Sequence, residues 1–418
     1  MNNNSNPNFD FYSFNLAKKE EEPATVQTTP EQTAPAASFT EEVREDAAIE
    51  QPQLLSESQA DSAAPQEPLS TEPPHDLEPA RRRMKSSYFR IGLAMAIATI
   101  AWLFISNGLY AAISLFSPEL ADNAIVTTLL GSLPLYVVCI PMLFLIICNV
   151  PRVKIEKKKL SFRHFMLLFC MGWALMMAGS MIGNYLMNIL STVTGVDFYN
   201  HLNDTMDLPV WFSGLLTVVL APIFEELMFR KIMLDRMLPH GELPAILLGG
   251  LLFGAFHGNF YQFFYAALLG MLLSFLYART GKLHHCILLH MAINFFGGVL
   301  PTILMNWADY DTLMVLVNDF LANIESVEAI EAIGEHVLAH LPGTLAVFAF
   351  VFVQYALAAL GVVFFIIRRR KFVLKKTEDQ LPTRMGLRTA FTNPGIIVAL
   401  SVCAFLFIST LMSAMLVG

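Results

Sequence analysis

Six polar residues carry the chemistry open to this chain: Glu225, Glu226, Arg230, His257, His290 and Asn294. All sit inside apolar runs. Ionisable side chains in hydrocarbon cost a few kcal/mol or more, so they point to function by default. A carboxylate and a histidine across a small gap can hold and deprotonate a water. A second histidine with an amide four residues on can donate to a developing oxyanion. That set suits hydrolysis of a peptide bond. The same carboxylate and two histidines could instead ligate zinc, which would then activate the water.

Spacing sorts these residues. In "APIFEELMFRKIML" (221–234), Glu226 and Arg230 are four apart and share a helix face, with the acid N-terminal. Glu225 points about 100° away and has no such partner. A turn near "LPHGEL" (238–243) makes a helical hairpin, and Glu225 and His257 lie equally far from it, at the same depth. His290 is roughly 12 Å past Lys282 at 1.5 Å per residue, and Glu225 is roughly 8–9 Å from the Arg230–Lys231 pair. His290 and Asn294 point the same way. Glu225, His257, His290 and Asn294 are therefore expected to converge in the inner half of a bilayer. Gly250, Gly254 and Gly258 form a small-residue stripe that lets a neighbouring helix approach. "HVLAH" offers His336 and His340 at a metal-binding spacing, but it lacks the Glu of H-E-x-x-H and no metal site is expected there. His284 and His285 read as edge residues at the inner interface.

The elements that must position these residues are membrane helices. Of 418 residues, 55% are hydrophobic and 15% charged, with a mean hydropathy of +0.52. Residues 1–80 are instead rich in Pro, Glu, Gln, Ser, Thr and Ala and cannot offset ordering entropy. No leader with an apolar stretch opens the chain, so the first apolar run is expected to stay as an anchor. The runs fall near 89–116, 124–149, 162–190, 210–232, 243–258, 260–279, 284–303, 344–367 and 394–417; the fifth is short. The expected fold is all-α: a polytopic membrane helix bundle of about nine transmembrane helices with a disordered N-terminal tail. The domains expected are a cytoplasmic tail (1–85), a membrane bundle (86–303) holding a catalytic core (205–300), an extracytoplasmic amphipathic insertion (304–343), and C-terminal membrane helices (344–418). The five cysteines have no paired spacing and suggest neither disulfides nor a zinc framework. The net charge of −8 gives no reason to expect nucleic acid as a partner; the partners expected are the lipid bilayer and a membrane-associated peptide or protein.

Three short motifs add a resemblance. "EELMFR" fits E-E-x-x-x-R, "FGAFH" fits F-x-x-x-H and "HMAIN" fits H-x-x-x-N. In this order, over roughly residues 205–300, they resemble the CPBP family of intramembrane proteases. That family includes the type II CAAX prenyl endopeptidases and bacterial proteins linked to bacteriocin maturation or immunity. The resemblance implies Glu225 as general base, His257 as its partner on the water, and His290 with Asn294 on the oxyanion. It implies Glu226, Arg230 and Phe253 as structural support. Metal-free and metallo mechanisms are both argued for such proteins. No metal is assigned here; were zinc present, Glu225, His257 and His290 would hold it. The alternatives are that zinc-dependent protease and a non-catalytic protein of the immunity or transporter kind. The broken helices and inverted repeats of transporters are not evident in the sequence.

Basic loops set the orientation. "RRRMK", "PRVKIEKKK", "RKIMLDR", Arg279 with Lys282, and "RRRKFVLKK" alternate with neutral or acidic loops. The positive-inside rule then places the N-terminus in the cytoplasm and the C-terminus outside, in the plasma membrane. Reporters fused after Lys85, Lys159, Arg236 and Lys376 are expected to read the inner side; an outer signal from any one breaks this topology.

Overall fold

The computed structural model describes residues 8–9 and 76–418, except 199, 201–207, 325, 378 and 418. The disordered tail expected over 1–80 lies mostly outside the described residues. Its inner boundary moves, because the first helix begins at Glu78 and takes in the basic "RRRMK". The described chain is almost wholly helical. Asn8–Phe9 pairs in parallel with Lys159–Leu160, too short a contact to make a sheet.

Among the described residues eight helices are long and apolar enough to cross a membrane, and this is a multi-pass membrane protein. They are α1 (Glu78–Phe116), α2 (Ala124–Ile147), α3 (Phe162–Thr194), α4 (Val210–His240), α6 (Phe260–Thr280), α7 (Leu283–Trp307), α10 (Leu341–Lys371) and α12 (Pro394–Val417). Between α4 and α6 lies α5 (Glu242–Phe256), the short fifth run; its 15 residues span only about 22 Å. The sequence expectation of about nine spans thus becomes eight full-length helices and one short one. Two helices, α8 (Tyr310–Ala322) and α9 (Val327–Ala339), make up most of the insertion. A short amphipathic helix, α11 (Thr383–Phe391), precedes the last span and was not anticipated.

Local signals set the helix ends. Asn123 Oδ1 accepts the N–H groups of Ile125 and Val126 to start α2. Asn259 Oδ1 accepts the Gln262 N–H to start α6. α3 and α6 stop at Gly195 and Gly281, both in the left-handed region. The glycine stripe on α5 works as expected at two positions. A Cβ on Gly250 would sit 2.7 Å from the Ala267 carbonyl, and one on Gly254 would sit 2.6 Å from the Phe263 carbonyl, so α5 and α6 meet backbone to backbone. Gly258 departs from the stripe: at φ +68° it makes the turn between the two helices.

Among the described residues, three spans contain π-helical stretches, and in each span one stretch ends two residues before a proline: Leu135–Cys139 before Pro141, Leu215–Leu220 before Pro222, and Phe295–Val299 before Pro301. A proline inside a helix has no N–H and its ring crowds the carbonyl four residues back. Widening the preceding turn relieves the crowding without ending the helix.

A buried ion pair fastens one end of the bundle. Arg279, only 2% exposed, donates from Nη1 and Nη2 to the two oxygens of Glu242, each at 2.6 Å. The same guanidinium reaches the Val373 carbonyl, and Glu242 also accepts the Lys375 N–H. The start of α5, the end of α6 and the chain after α10 are thereby joined. Glu242→Ala strands Arg279 and should lower stability by about 3–5 kcal/mol. Thermal unfolding in detergent checks this, and Glu242→Leu with Arg279→Met should recover most of the loss.

Candidate active site

Glu225 and Glu226 lie on α4 in a short α-helical segment, Ala221–Glu226, between the π stretch 215–220 and a second one, Leu227–Leu234. Glu226 is fully buried, and its two oxygens face different partners. Oε1 accepts from His290 Nδ1 at 3.0 Å. Oε2 lies 3.1 Å from Arg230 Nε, a close ion pair whose alignment falls short of a hydrogen bond. Arg230, also fully buried, donates from Nη2 to the Gly270 carbonyl of α6 at 3.2 Å. Its guanidinium carbon sits 4.5 Å from the centre of the Phe253 ring, a cation–π contact that partly replaces lost water.

Phe253 is a hub. Its ring stands edge-on to His257 at 5.2 Å and to His290 at 5.8 Å, and packs against Phe229 at 5.0 Å. Its carbonyl accepts from His257 Nδ1 at 2.9 Å. A carbonyl only accepts, so His257 carries its proton on Nδ1 and, as a neutral ring, leaves Nε2 as an acceptor.

Glu225 differs from its neighbour. Its side chain keeps 20% of its surface exposed, and its Oε2 lies 3.8 Å from His290 Nε2. That gap exceeds a hydrogen bond and suits one bridging water or a small side-chain shift. Phe224 beside it stacks on Tyr136 of α2 at 4.4 Å, which brings a further helix to this wall.

Asn294 Nδ2 donates to the Thr217 carbonyl at 2.8 Å. The winding of α4 explains why that carbonyl is free. The Ala221 N–H bonds five residues back to the Leu216 carbonyl. In the same register Thr217 would take its bond from residue 222, which is proline and has no N–H. Asn294 fills that vacancy with one amide N–H and keeps the other.

The structure thus brings Glu225, Glu226, Arg230, Phe253, His257, His290 and Asn294 onto four neighbouring elements: α4, α5, α7 and, through Gly270, α6. The sequence-expected pairing of Glu226 with Arg230 is present. Among the described residues, no hydrogen bond or ion pair joins Glu225 to His257; the histidine that both glutamates approach is His290. Sequence reasoning missed Thr217, Gly270 and Tyr136. The first two act through backbone carbonyls, which leave no residue-type signal, although Pro222 marked the freed carbonyl.

The donor chemistry of Glu225, His257 and His290 matches zinc, and both histidines have Nδ1 bonded so that Nε2 is available. Their placement does not match. They are not among the described groups whose three ligand atoms lie within 4.8 Å of one another. No metal cage is formed by these side chains as they stand.

Comparison with known proteins places the arrangement. A family model described as "Type II CAAX prenyl endopeptidase Rce1-like" matches residues 207–296, the stretch that carries all seven of these residues. The UPF0177 protein YbdI of Lactococcus lactis subsp. lactis (strain IL1403) is 31% identical over 167 residues, covering 37% of this chain and 90% of that protein. No solved structure matches. With its three motifs gathered between membrane helices and an Rce1-like domain at 207–296, the chain belongs to the CPBP family.

Proposed function

We propose that this protein is an intramembrane endopeptidase that hydrolyses a peptide bond in a membrane-associated protein or peptide. The observation that carries this reading is the contrast between adjacent acids. Glu226 is sealed and engaged by Arg230 and His290, whereas Glu225 keeps exposed surface and faces a ring nitrogen across 3.8 Å. An acid with access and no cationic partner is suited to proton transfer.

Glu225 takes a proton from a water that His257 Nε2 also holds as an acceptor. The water oxygen bonds to the scissile carbonyl carbon, and the carbonyl electrons move onto its oxygen. The remaining N–H of Asn294 donates to that oxyanion. His290 Nε2 receives the proton from Glu225 and becomes an imidazolium, balanced by Glu226 on Nδ1. This cation also stabilises the oxyanion. It then gives its proton to the leaving nitrogen as the C–N bond breaks. Glu226 supports His290 as the aspartate of a serine-protease triad supports its histidine, by orientation and by balancing charge. Zinc held by Glu225, His257 and His290 remains the alternative form of the same activity and would require those side chains to draw together. The protein works in the cell membrane, with its N-terminus inside.

Glu225→Gln should abolish cleavage with little loss of folded protein, while Asn294→Ala should lower turnover by roughly 10²–10³-fold with substrate binding little changed. Mass spectrometry of cleaved membrane peptides, comparing wild type with Glu225→Gln, checks both the activity and its base; equal cleavage by that variant sinks the reading.

Glu226→Gln acts differently. It leaves Arg230 as an unbalanced buried charge and should reduce stability by about 3–5 kcal/mol. A lower unfolding temperature and folded yield than Glu225→Gln is the expected result, read by thermal scanning of both variants.

A further inference from the structure

The insertion between α7 and α10 carries a second cluster that the chemistry above does not use. Asp309 lies just past the end of α7, and His336 and His340 lie at the last turn and the end of α9. One ligand atom from each lies within 4.8 Å of the other two, and all three residues are half-buried. Among the described residues, no other group of three His, Cys, Asp or Glu meets that measure.

Hydrogen bonds decide which atoms are free. His336 Nε2 donates to the Asp309 carbonyl at 3.1 Å, and His340 Nδ1 donates to the His336 carbonyl at 3.2 Å. Carbonyls only accept, so those nitrogens carry the protons. In the neutral rings, His336 Nδ1 and His340 Nε2 keep lone pairs. His336 Nδ1 faces Asp309 Oδ2 at 4.0 Å, and the two rings lie 4.5 Å apart. A lone pair facing a carboxylate oxygen is repulsive unless a cation stands between them. Two bonds of about 2.0–2.2 Å to one metal ion bridge such a gap.

The surroundings hold these atoms in place. A backbone carbonyl on the far ring nitrogen is a common outer partner of a metal-bound histidine. Thr312 Oγ1 donates to Asp309 Oδ1 at 3.0 Å and leaves Oδ2 toward the histidines. Asp309 is the only described non-glycine residue with positive φ, +46°. A backbone in that region persists where its surroundings impose it and marks a place to look for function.

We propose that Asp309, His336 and His340 bind one zinc ion, which clips the base of the α8–α9 hairpin. Two imidazoles and one carboxylate suit zinc, whereas Ca²⁺ and Mg²⁺ prefer all-oxygen shells. The clip joins residues about thirty apart, which removes loop-closure freedom from the unfolded chain. It fixes the hairpin where the chain leaves α7 and enters α10.

The test uses the full chain in detergent, stripped with a chelator and titrated with Zn²⁺ against a chromophoric competitor. A Glu225→Gln/His290→Gln background removes any zinc held at the membrane site. One equivalent should remain in that background. Asp309→Asn and His336→Ala should each weaken it by more than about 100-fold, beyond the 10–100-fold typical of losing an outer partner, and Thr312→Ala by about tenfold. Zn²⁺ should also raise the unfolding temperature of the parent but not of Asp309→Asn, an isosteric change that keeps the fold testable. An absence of bound zinc in the background protein overturns the proposal, as does unchanged affinity in both Asp309→Asn and His336→Ala. If Asp309→Asn lowers the unfolding temperature equally with and without zinc, the contact is an ion pair of protonated His336 only, and the clip is refuted.

Discussion

A carboxylate sealed from water inside a membrane bundle must have both oxygens answered, and Glu226 is that group. Its two partners come from different places: Arg230 from its own helix and His290 from α7. Arg230 in turn reaches a carbonyl of α6 and lies on the Phe253 ring of α5. One buried charge therefore ties four helical elements. The net stability of such a pair is small or negative relative to apolar packing, because desolvation offsets the Coulombic gain. What the pair provides is register. The placement of α4, α6 and α7 that brings Glu226, Arg230 and His290 together also sets Glu225 beside His290.

The winding of α4 and α7 serves the same end. Proline in a membrane helix frees backbone carbonyls that lipid cannot satisfy, so protein groups must do so. At Pro222 the group is Asn294, and the bond fixes an amide of α7 against α4. A helix defect that would be costly in lipid becomes the means of aiming a side chain. The short length of α5 contributes too. Because it stops at Phe256 and turns at Gly258, His257 sits at a helix end with its Nδ1 on the last turn and its other nitrogen available.

Much of this was legible in the sequence. Apolar runs gave most span ends to within a few residues, because hydrocarbon thickness sets the apolar length; α1 begins eleven residues before its run and α4 continues eight residues past its own, where polar residues extend the helix beyond the apolar stretch. The i,i+4 spacing paired Glu226 with Arg230. The azimuths were less legible. A step of 100° per residue fails where a helix winds as π, and Glu226 is followed directly by such a stretch. The approach of His290 to both acids is such an azimuthal match and leaves no sign in the spacing. Glu242 and Arg279 looked like a turn residue and a loop charge, since a pair 37 residues apart leaves no local pattern. Asp309 was invisible for the same reason: the HVLAH pair was readable, but its third member lies 27 residues upstream of His336.

The histidines show how backbone and carboxylate acceptors divide labour. His257, His336 and His340 each give a ring proton to a carbonyl. A carbonyl fixes the tautomer but offers no full charge, and in the two proposals these rings offer their other nitrogen to a water or a metal. His290 alone among these four gives its Nδ1 proton to a carboxylate. That carboxylate orients the ring, and in the proposed mechanism it balances the charge that His290 gains and then loses during the reaction. In the proposed mechanism His257 serves the water and His290 the moving proton, in keeping with what stands behind each ring, and the same distinction sets the proposed zinc ligands His336 and His340, backed by carbonyls, apart from His290, backed by a carboxylate.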